Sequence, residues 1–142
     1  MSGGDDIWIH SRYGHVHANY DLATGIAGPV DNLLAVKSAN HQIYIMHIVV
    51  SVTTFANKVL TFQDDAGTPV VIGKIEVPTT QPTSVPGEQT YVLNFLGEGI
   101  PLTVGKNLDL TLSAAGVGAK IHVEAYQRLV GPVTVAQAAV GG

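Results

Sequence analysis

The histidines near the start of this sequence are the residues whose types and spacing could do chemistry. His15 and His17 are separated by one residue, and His10 precedes them. Residues two apart on a β-strand point to the same face, so this pair would present two imidazoles together. Imidazole nitrogen is a common ligand of transition metals. Since Asp21 follows four residues after His17, the spacing permits a metal site built from His15, His17 and Asp21.

These residues resemble the histidine pair and downstream carboxylate of the cupins, which are also β-sandwich proteins. That resemblance implies a small metal-dependent enzyme. The sequence departs from the cupin pattern because the acid is Asp21 instead of Glu, the glycine spacing differs, and no later histidine lies in a Pro-Gly context. We therefore favour an exposed polar arm whose histidines have no ligand. We predict no metal and no cofactor, and the cupin-like enzyme is kept as an alternative.

The rest of the sequence does not indicate catalysis. It contains no cysteine, and hence no thiolate nucleophile and no cysteine-based zinc site. It also lacks a Gly-x-Ser-x-Gly nucleophile motif. His47 lies in an apolar segment, which is typical of a core or interface histidine, and His41 and His122 are isolated in sequence. We predict that the protein is not an enzyme.

Charge is scarce, and this excludes several classes of protein. The 142 residues include 7 Lys+Arg and 11 Asp+Glu, so 18 are charged. An average domain of this length would carry about 35. A disordered chain would show the opposite balance of charge and apolar residues. The net charge of −4 argues against a nucleic-acid partner, and the absence of a long apolar run argues against a membrane partner. The acidic start predicts no secretory signal.

The composition predicts an all-β fold. Val (19), Ile (10) and Thr (12) make up 41 of the 142 residues, and β-branched side chains favour strands. We expect a single antiparallel β-sandwich or jelly-roll-like domain with an extended N-terminal arm and a C-terminal tail. The predicted organisation is an arm with the first strands over residues 1–41, a sandwich core over 42–129, and an uncharged, apolar tail over 130–142.

Individual strands follow from the hydrophobic pattern. Residues 42–54 predict a long strand covered on both faces and bent near Val49. Residues 58–63 and 70–77 predict a hairpin, residues 78–86 a loop, and residues 97–101 a turn. Further strands are expected over 89–95, 107–113 and 120–129. The last two alternate, with Asp109 expected to face outward and with His122, Glu124 and Tyr126 on the opposite face from the apolar residues.

The segment from Gly97 to Arg128 resembles small β-sandwich proteins of tailed bacteriophages, found among capsid decoration (cement) and head-fibre proteins. The shared pattern is a late Leu-x-Leu-x-Leu-Ser-Ala-Ala strand, then a glycine-containing turn and a Val-x-x-Tyr strand. The matching residues here are Gly105, Leu108, Leu110, Leu112, Ser113, Ala114, Ala115, Gly116, Val123 and Tyr126. The resemblance implies a jelly-roll-like domain that forms a homotrimer and clamps neighbouring major capsid protein subunits from outside.

We therefore expect a non-enzymatic virion structural protein, most simply a capsid decoration protein, made in the host cytoplasm and located on the capsid exterior. Its expected partners are the major capsid protein and further copies of itself. Ile7, Trp8, Ile9 and Tyr13 are the predicted apolar anchors of the arm, because buried aromatic residues dominate interface energies. Deleting residues 1–20 is then expected to abolish shell binding without unfolding the sandwich. The alternative is a phage-fibre, host-recognition module that binds carbohydrate.

Overall fold

The computed structural model describes residues 14–81 and 89–130. The predicted arm anchors Ile7, Trp8, Ile9 and Tyr13 and the tail from residue 131 lie outside the described residues. Within the two described ranges every regular element is a strand, and no helix there is long and apolar enough to cross a membrane. The strands are β1 (His15–Leu22), β2 (Val30–Leu34), β3 (His41–Thr54), β4 (Lys58–Asp64), β5 (Val71–Val77), β6 (Gln89–Asn94), β7 (Ile100–Pro101), β8 (Leu108–Leu112) and β9 (Gly118–Leu129).

The strand pairing is that of a long hairpin rolled up on itself. Apart from the two-residue β7, β1 pairs with β9, β2 with β8, β3 with β6 and β4 with β5, all antiparallel. Because the hairpin is rolled up, successive strand pairs lie in different sheets. One sheet has the order β1-β9-β3-β6, and the other has the order β2-β8-β4-β5. This is the double-sheet topology of a jelly roll. The predicted all-β antiparallel sandwich is therefore confirmed.

The two sheets bury one continuous apolar core between them. Both sheets contribute strand residues that are fully buried, such as Ile48 and Val123 from one sheet and Phe62 and Leu110 from the other. Each alternates with side chains on the outer face, as the period of a strand requires. The predicted alternation in residues 120–129 is confirmed, as is the hairpin of β4 and β5.

The first strands belong to the sandwich as fully as the later ones do. β1 forms one edge of the first sheet and β2 one edge of the second, and the core includes Leu22 and Leu34. The apolar core therefore includes residues of β1 and β2 together with those of residues 42–129. Deletion of residues 1–20 would remove most of β1, so an arm truncation that spares the sandwich must end at residue 13.

In the central strand β3, the alternation between core residues and outward residues shifts by one position partway along the strand. Its core residues are Ile43 and Ile45, at odd positions, and then Ile48, Val50 and Val52, at even positions. A bulge between Ile45 and His47 inserts one extra residue against β9, so that both halves face the core. The pairing of β3 with β9 is irregular at Met46 and again between Val52 and Thr54, but it is regular at Val49, where the bend was expected. The prediction that both faces are covered is wrong on the outer side, where His47 and Val49 are half-buried.

Two further expectations were wrong in detail. Asp109 was expected to face solvent, but it is buried because the backbone of β2 covers it and the N–H of Asn32 donates to its carboxylate at 2.8 Å. Asn32 is held at φ 57° where β2 is irregular. Ile100 and Pro101 were expected in a turn, but they form the short strand β7, paired with β3.

Two glycines in the turn between β6 and β7, Gly97 and Gly99, allow the cost of backbone strain to be measured apart from the cost of a steric clash. Gly97 (φ 73°) has open space where a Cβ would stand, whereas a Cβ on Gly99 (φ 85°) would lie 2.6 Å from the carbonyl oxygen of Ile45. Gly97→Ala is expected to lower the free energy of unfolding by about 1 kcal/mol, the cost of a left-handed non-glycine residue. Gly99→Ala should cost about 3 kcal/mol, since a backbone clash adds to the strain. Denaturant unfolding of both variants measures the difference, and equal losses would contradict this account of the turn.

Candidate functional site

The outer face of the β1-β9-β3-β6 sheet brings together four histidines from three strands. The strand register places His17 of β1 and His47 of β3 on either side of Glu124 of β9. His15 is two residues before His17 on β1, and His122 is two residues before Glu124 on β9, so each lies on the same face as its neighbour. We call these five residues the histidine face.

Glu124 is the centre of this face. Its Oε2 lies 2.6 Å from Nε2 of His15, and its Oε1 lies 2.7 Å from Nε2 of His122. The other ring nitrogen of His122, Nδ1, lies 2.6 Å from Oδ1 of Asn19. Both nitrogens of His122 thus face oxygen atoms, and a doubly protonated imidazolium satisfies both.

The remaining two histidines stand beside this hydrogen-bonded set. The ring centroid of His17 is 5.9 Å from that of His15 and 6.3 Å from that of His122. The ring of His47 is 6.4 Å from that of His122. The side chains of His15 and His122 are 52% and 36% exposed, so protons can exchange freely with solvent.

The environment of Glu124 favours its ionised form. Partial burial opposes ionisation, but the hydrogen bonds from His122 and His15, together with their charge, outweigh that effect and hold the pKa of Glu124 below its usual value. The carboxylate is therefore negatively charged throughout the range in which histidines ordinarily titrate.

The proposed metal set is not brought together. His15 and His17 do share the outer face, but Asp21 lies opposite Lys120 and the carboxylate that contacts His15 is Glu124. In the part of the chain that the structure describes, no group of three or more His, Cys, Asp or Glu residues is placed to hold a metal ion. His10 lies outside the described residues.

Three residues of the histidine face, His47, His122 and Glu124, were not identified as a site from sequence. His122 is isolated in the sequence, yet in the fold it contacts Asn19, 103 residues away, and Glu124. The alternation of residues 120–129 did place His122 and Glu124 on one face. The missing information was the register of β1 against β9, which local spacing does not contain. His41, the other isolated histidine, bonds Ser38 at 2.7 Å.

An aromatic stack adjoins the histidine face. The rings of Tyr44 and Tyr126 are parallel at 5.0 Å, and the guanidinium of Arg128 lies 4.9 Å above the ring of Tyr44 and donates to its hydroxyl. The Tyr126 hydroxyl donates to the carbonyl of Glu98. Tyr44 is buried in this stack, and each of the seven aromatic residues within 14–81 and 89–130 is buried or half-buried.

A second candidate region is the end of the sandwich at which β3 begins. We call it the loop end, and it consists of residues 35–40, 65–70 and 102–107. Gly14 accepts a hydrogen bond here from the N–H of Gln127, and the N–H of Val130 donates to Asn40 at 2.7 Å. The segments 1–13 and 131–142 are thus joined to the sandwich at the same end, on neighbouring strands.

Asp64 organises the loop end. Its side chain is fully buried and accepts hydrogen bonds from the backbone N–H groups of Ala66, Val70 and Thr103. Burial opposes ionisation, but these bonds and one from the Thr103 hydroxyl outweigh it and lower the pKa of Asp64. One carboxylate therefore holds two loops in a fixed relation.

Apolar side chains are exposed around these loops. Four of the six large hydrophobic residues that are exposed within the described ranges lie here: Val70, Val71, Val104 and Leu129. Beside them a cleft of about 420 Å³ opens next to Gly14 and is lined by Lys37 and His41. Apolar side chains that are held exposed at one end of a domain are typical of an interaction surface.

Replacement of Asp64 tests whether the carboxylate holds the loop end. Asp64→Asn should lower the free energy of unfolding at pH 7 by about 1–3 kcal/mol, since an amide NH₂ would replace one acceptor and leave a buried N–H unpaired. Because the pKa of Asp64 is lowered on folding, its contribution is present above the usual pKa of 3.8 and is lost as the pH falls below it. Denaturant titrations at pH 7 and pH 3 should show the gap between the two proteins narrowing at pH 3.

Asp65→Asn is the matched control. Asp65 is exposed and bonds Asn107 on the same loops, so its loss should cost less than about 1 kcal/mol. Equal stability of the Asp64 variant and the unmodified protein at pH 7 would show that the loops are held by other contacts.

Comparison with known proteins leaves these two regions as the basis for a functional argument. No protein-family model matches the chain, and a search of the curated proteins gives no significant match. The jelly-roll topology, the histidine face and the loop end are therefore the observations from which function has to be argued.

Proposed function

We propose that this chain is a non-enzymatic structural protein of a virion, and specifically a capsid decoration protein that binds and stabilises the assembled phage head. The proposal combines the resemblance of residues 97–128 to such proteins with a jelly-roll topology, which is the kind of domain that the resemblance implies. Its partners are the major capsid protein and further copies of the chain in a homotrimer.

The observation that carries the proposal is the arrangement of the loop end. Segments 1–13 and 131–142 join the sandwich there, and the exposed Val70, Val71, Val104 and Leu129 surround the same region. Segment 1–13 contains Trp8, Ile7 and Ile9, and segment 131–142 contains no charged residue. Two segments that carry apolar residues are thus attached to the sandwich beside its exposed apolar side chains, at the end where a protein that docks on a larger assembly would make contact.

Stabilisation of a shell by such a protein follows from mass action. A protein that binds the assembled shell and not its separated subunits shifts the equilibrium towards the shell, by an amount set by its affinity and its concentration. A trimer would present three loop ends at once, so individually weak contacts would act together through their effective concentration. No single strong ion pair between this chain and the shell is therefore required, which is consistent with the small number of charged residues in the chain.

Binding of truncated proteins to purified shells tests the proposal. Full-length protein should saturate expanded heads of the virus that encodes it, whereas the variant lacking residues 1–13 should lose at least about tenfold in affinity, because it lacks the apolar anchors. Co-sedimentation of heads with increasing protein measures occupancy, and native mass measures whether the free protein is a trimer.

Two controls make the result interpretable. The truncation ends before His15 and keeps all the strands of the part of the chain that the structure describes, so its thermal unfolding should match that of the full chain. A second variant that lacks residues 131–142 measures the contribution of the tail separately. Full occupancy by the protein lacking residues 1–13 would refute the arm, and failure of the full-length chain to bind heads would refute the decoration role. Binding to glycans instead of heads would favour the fibre module.

A further inference from the structure

Among the strands that the structure describes, β1 is at the edge of its sheet, and its outer face carries much of the histidine cluster. It is paired with β9 on one side, and it contributes His15 and His17 to the histidine face. Gly14, at its start, is the point at which segment 1–13 joins the sandwich. Any force between the outer side chains of β1 and β9 therefore acts directly on the attachment of this strand.

The charge on this face depends strongly on pH. Within residues 14–81 and 89–130, the charged groups on the outer side of the sheet besides the histidine face are Asp21 on β1 and Lys120 and Arg128 on β9. β3 adds His47 and the hydroxyl of Tyr44, and β6 presents Thr90, Val92 and Asn94, which do not titrate. Lys37 and His41 line the cleft beside His15, and Glu98 lies in the turn that Tyr126 contacts.

With neutral imidazoles, the two carboxylates Glu124 and Asp21 balance Lys120 and Arg128 on the sheet face. With all four imidazoles protonated, the same face carries four additional positive charges. Imidazoles ordinarily gain these charges between about pH 8 and pH 5. Two of the four, His15 and His17, are on β1, and His17 is only 6.3 Å from His122 across the β1–β9 boundary.

We propose that Glu124 is a proton-dependent latch, which keeps the edge strand β1 on the sheet when the surrounding histidines become charged. Protonation converts its hydrogen bonds with His15 and His122 into ion pairs, one of which crosses from β9 to β1. The resulting attraction offsets the repulsion between imidazolium groups across the same boundary. This inference does not depend on the proposed decoration function.

The latch has a defined pH window. Because the hydrogen bonds and charge of His122 and His15 hold the pKa of Glu124 low despite its partial burial, its contribution is present above its usual value of 4.5 and is lost as the pH falls further. The attraction also requires protonated imidazoles, so it weakens as the pH rises and they lose their protons. The latch therefore acts where the histidine face carries positive charge and Glu124 is still ionised.

Glu124→Gln removes the charge with almost no change in shape. At pH 5.5 we expect the amides of β1 to exchange hydrogen up to about fivefold faster in this variant than in the unmodified full-length chain, since the one charge pair that crosses from β9 to β1 is lost. At pH 8 the difference in exchange between the two proteins should be much smaller, because imidazoles lose their positive charge as the pH rises. Amides of β4 and β8, in the opposite sheet, serve as internal references at both pH values.

Asp21→Asn is the matched control, because Asp21 is a carboxylate of the same sheet face that lies opposite Lys120 instead of a histidine. It should leave exchange of the His15–Ala18 amides at pH 5.5 unchanged. His17→Gln gives a second, independent test that does not require the Glu124 variant to fold, and it should slow β1 exchange at pH 5.5 by removing one cation from the boundary. The latch is refuted if Glu124→Gln accelerates β1 no more than Asp21→Asn does, or if His17→Gln leaves β1 exchange at pH 5.5 unchanged.

Discussion

A change of phase in the apolar alternation of β3 is the constraint on which this fold depends. β3 pairs with β9, β6 and β7, so its register is transmitted to the whole sheet. Without the bulge between Ile45 and His47, one half of its buried residues would face solvent, since a one-residue slip moves every side chain to the other face. Gly99 packs against the carbonyl of Ile45, so the turn before β7 fits closely around this bulge. The continuity of the core and the position of the neighbouring loop thus have a common cause.

The same bulge decides what the outer face of the sheet presents. Tyr44 precedes it and stacks on Tyr126, whereas His47 follows it and stands opposite Glu124. On the other side of β9, β1 adds two histidines in a strictly alternating strand. A histidine cluster with one central carboxylate therefore results from three strands whose registers are fixed by packing on the inner face. The histidines of this cluster can bind protons at an exposed surface. The resulting change in charge acts on the pairing of β1, which is at the edge of the sheet.

The sequence was sufficient where alternation was strong and local. The strands containing Leu110 and Val123, and the hairpin that ends at Val77, were predicted because period-2 patterns and turn residues identify them directly. β1 alternates equally well, but its outward side is unusually rich in histidine and was interpreted as an exposed arm. Asp109 was misplaced because its cover comes from β2, a short irregular strand with little pattern of its own. The contact of His15 with Glu124 spans 109 residues and depends on register, which spacing within one segment cannot supply.

In the proposed decoration role, the loop end is the part of the domain that contacts the shell. Asp64 fixes the loops at one end of the jelly roll, where apolar side chains are exposed and segments 1–13 and 131–142 join the sandwich. An electron cryomicroscopy reconstruction of the intact virion tests this arrangement most directly. The account predicts density for the jelly roll on the outer surface of the head, with the loops around residues 35–40, 65–70 and 102–107 directed towards the shell. Density for this chain in a tail fibre, or on the head with the opposite end directed towards the shell, would contradict it.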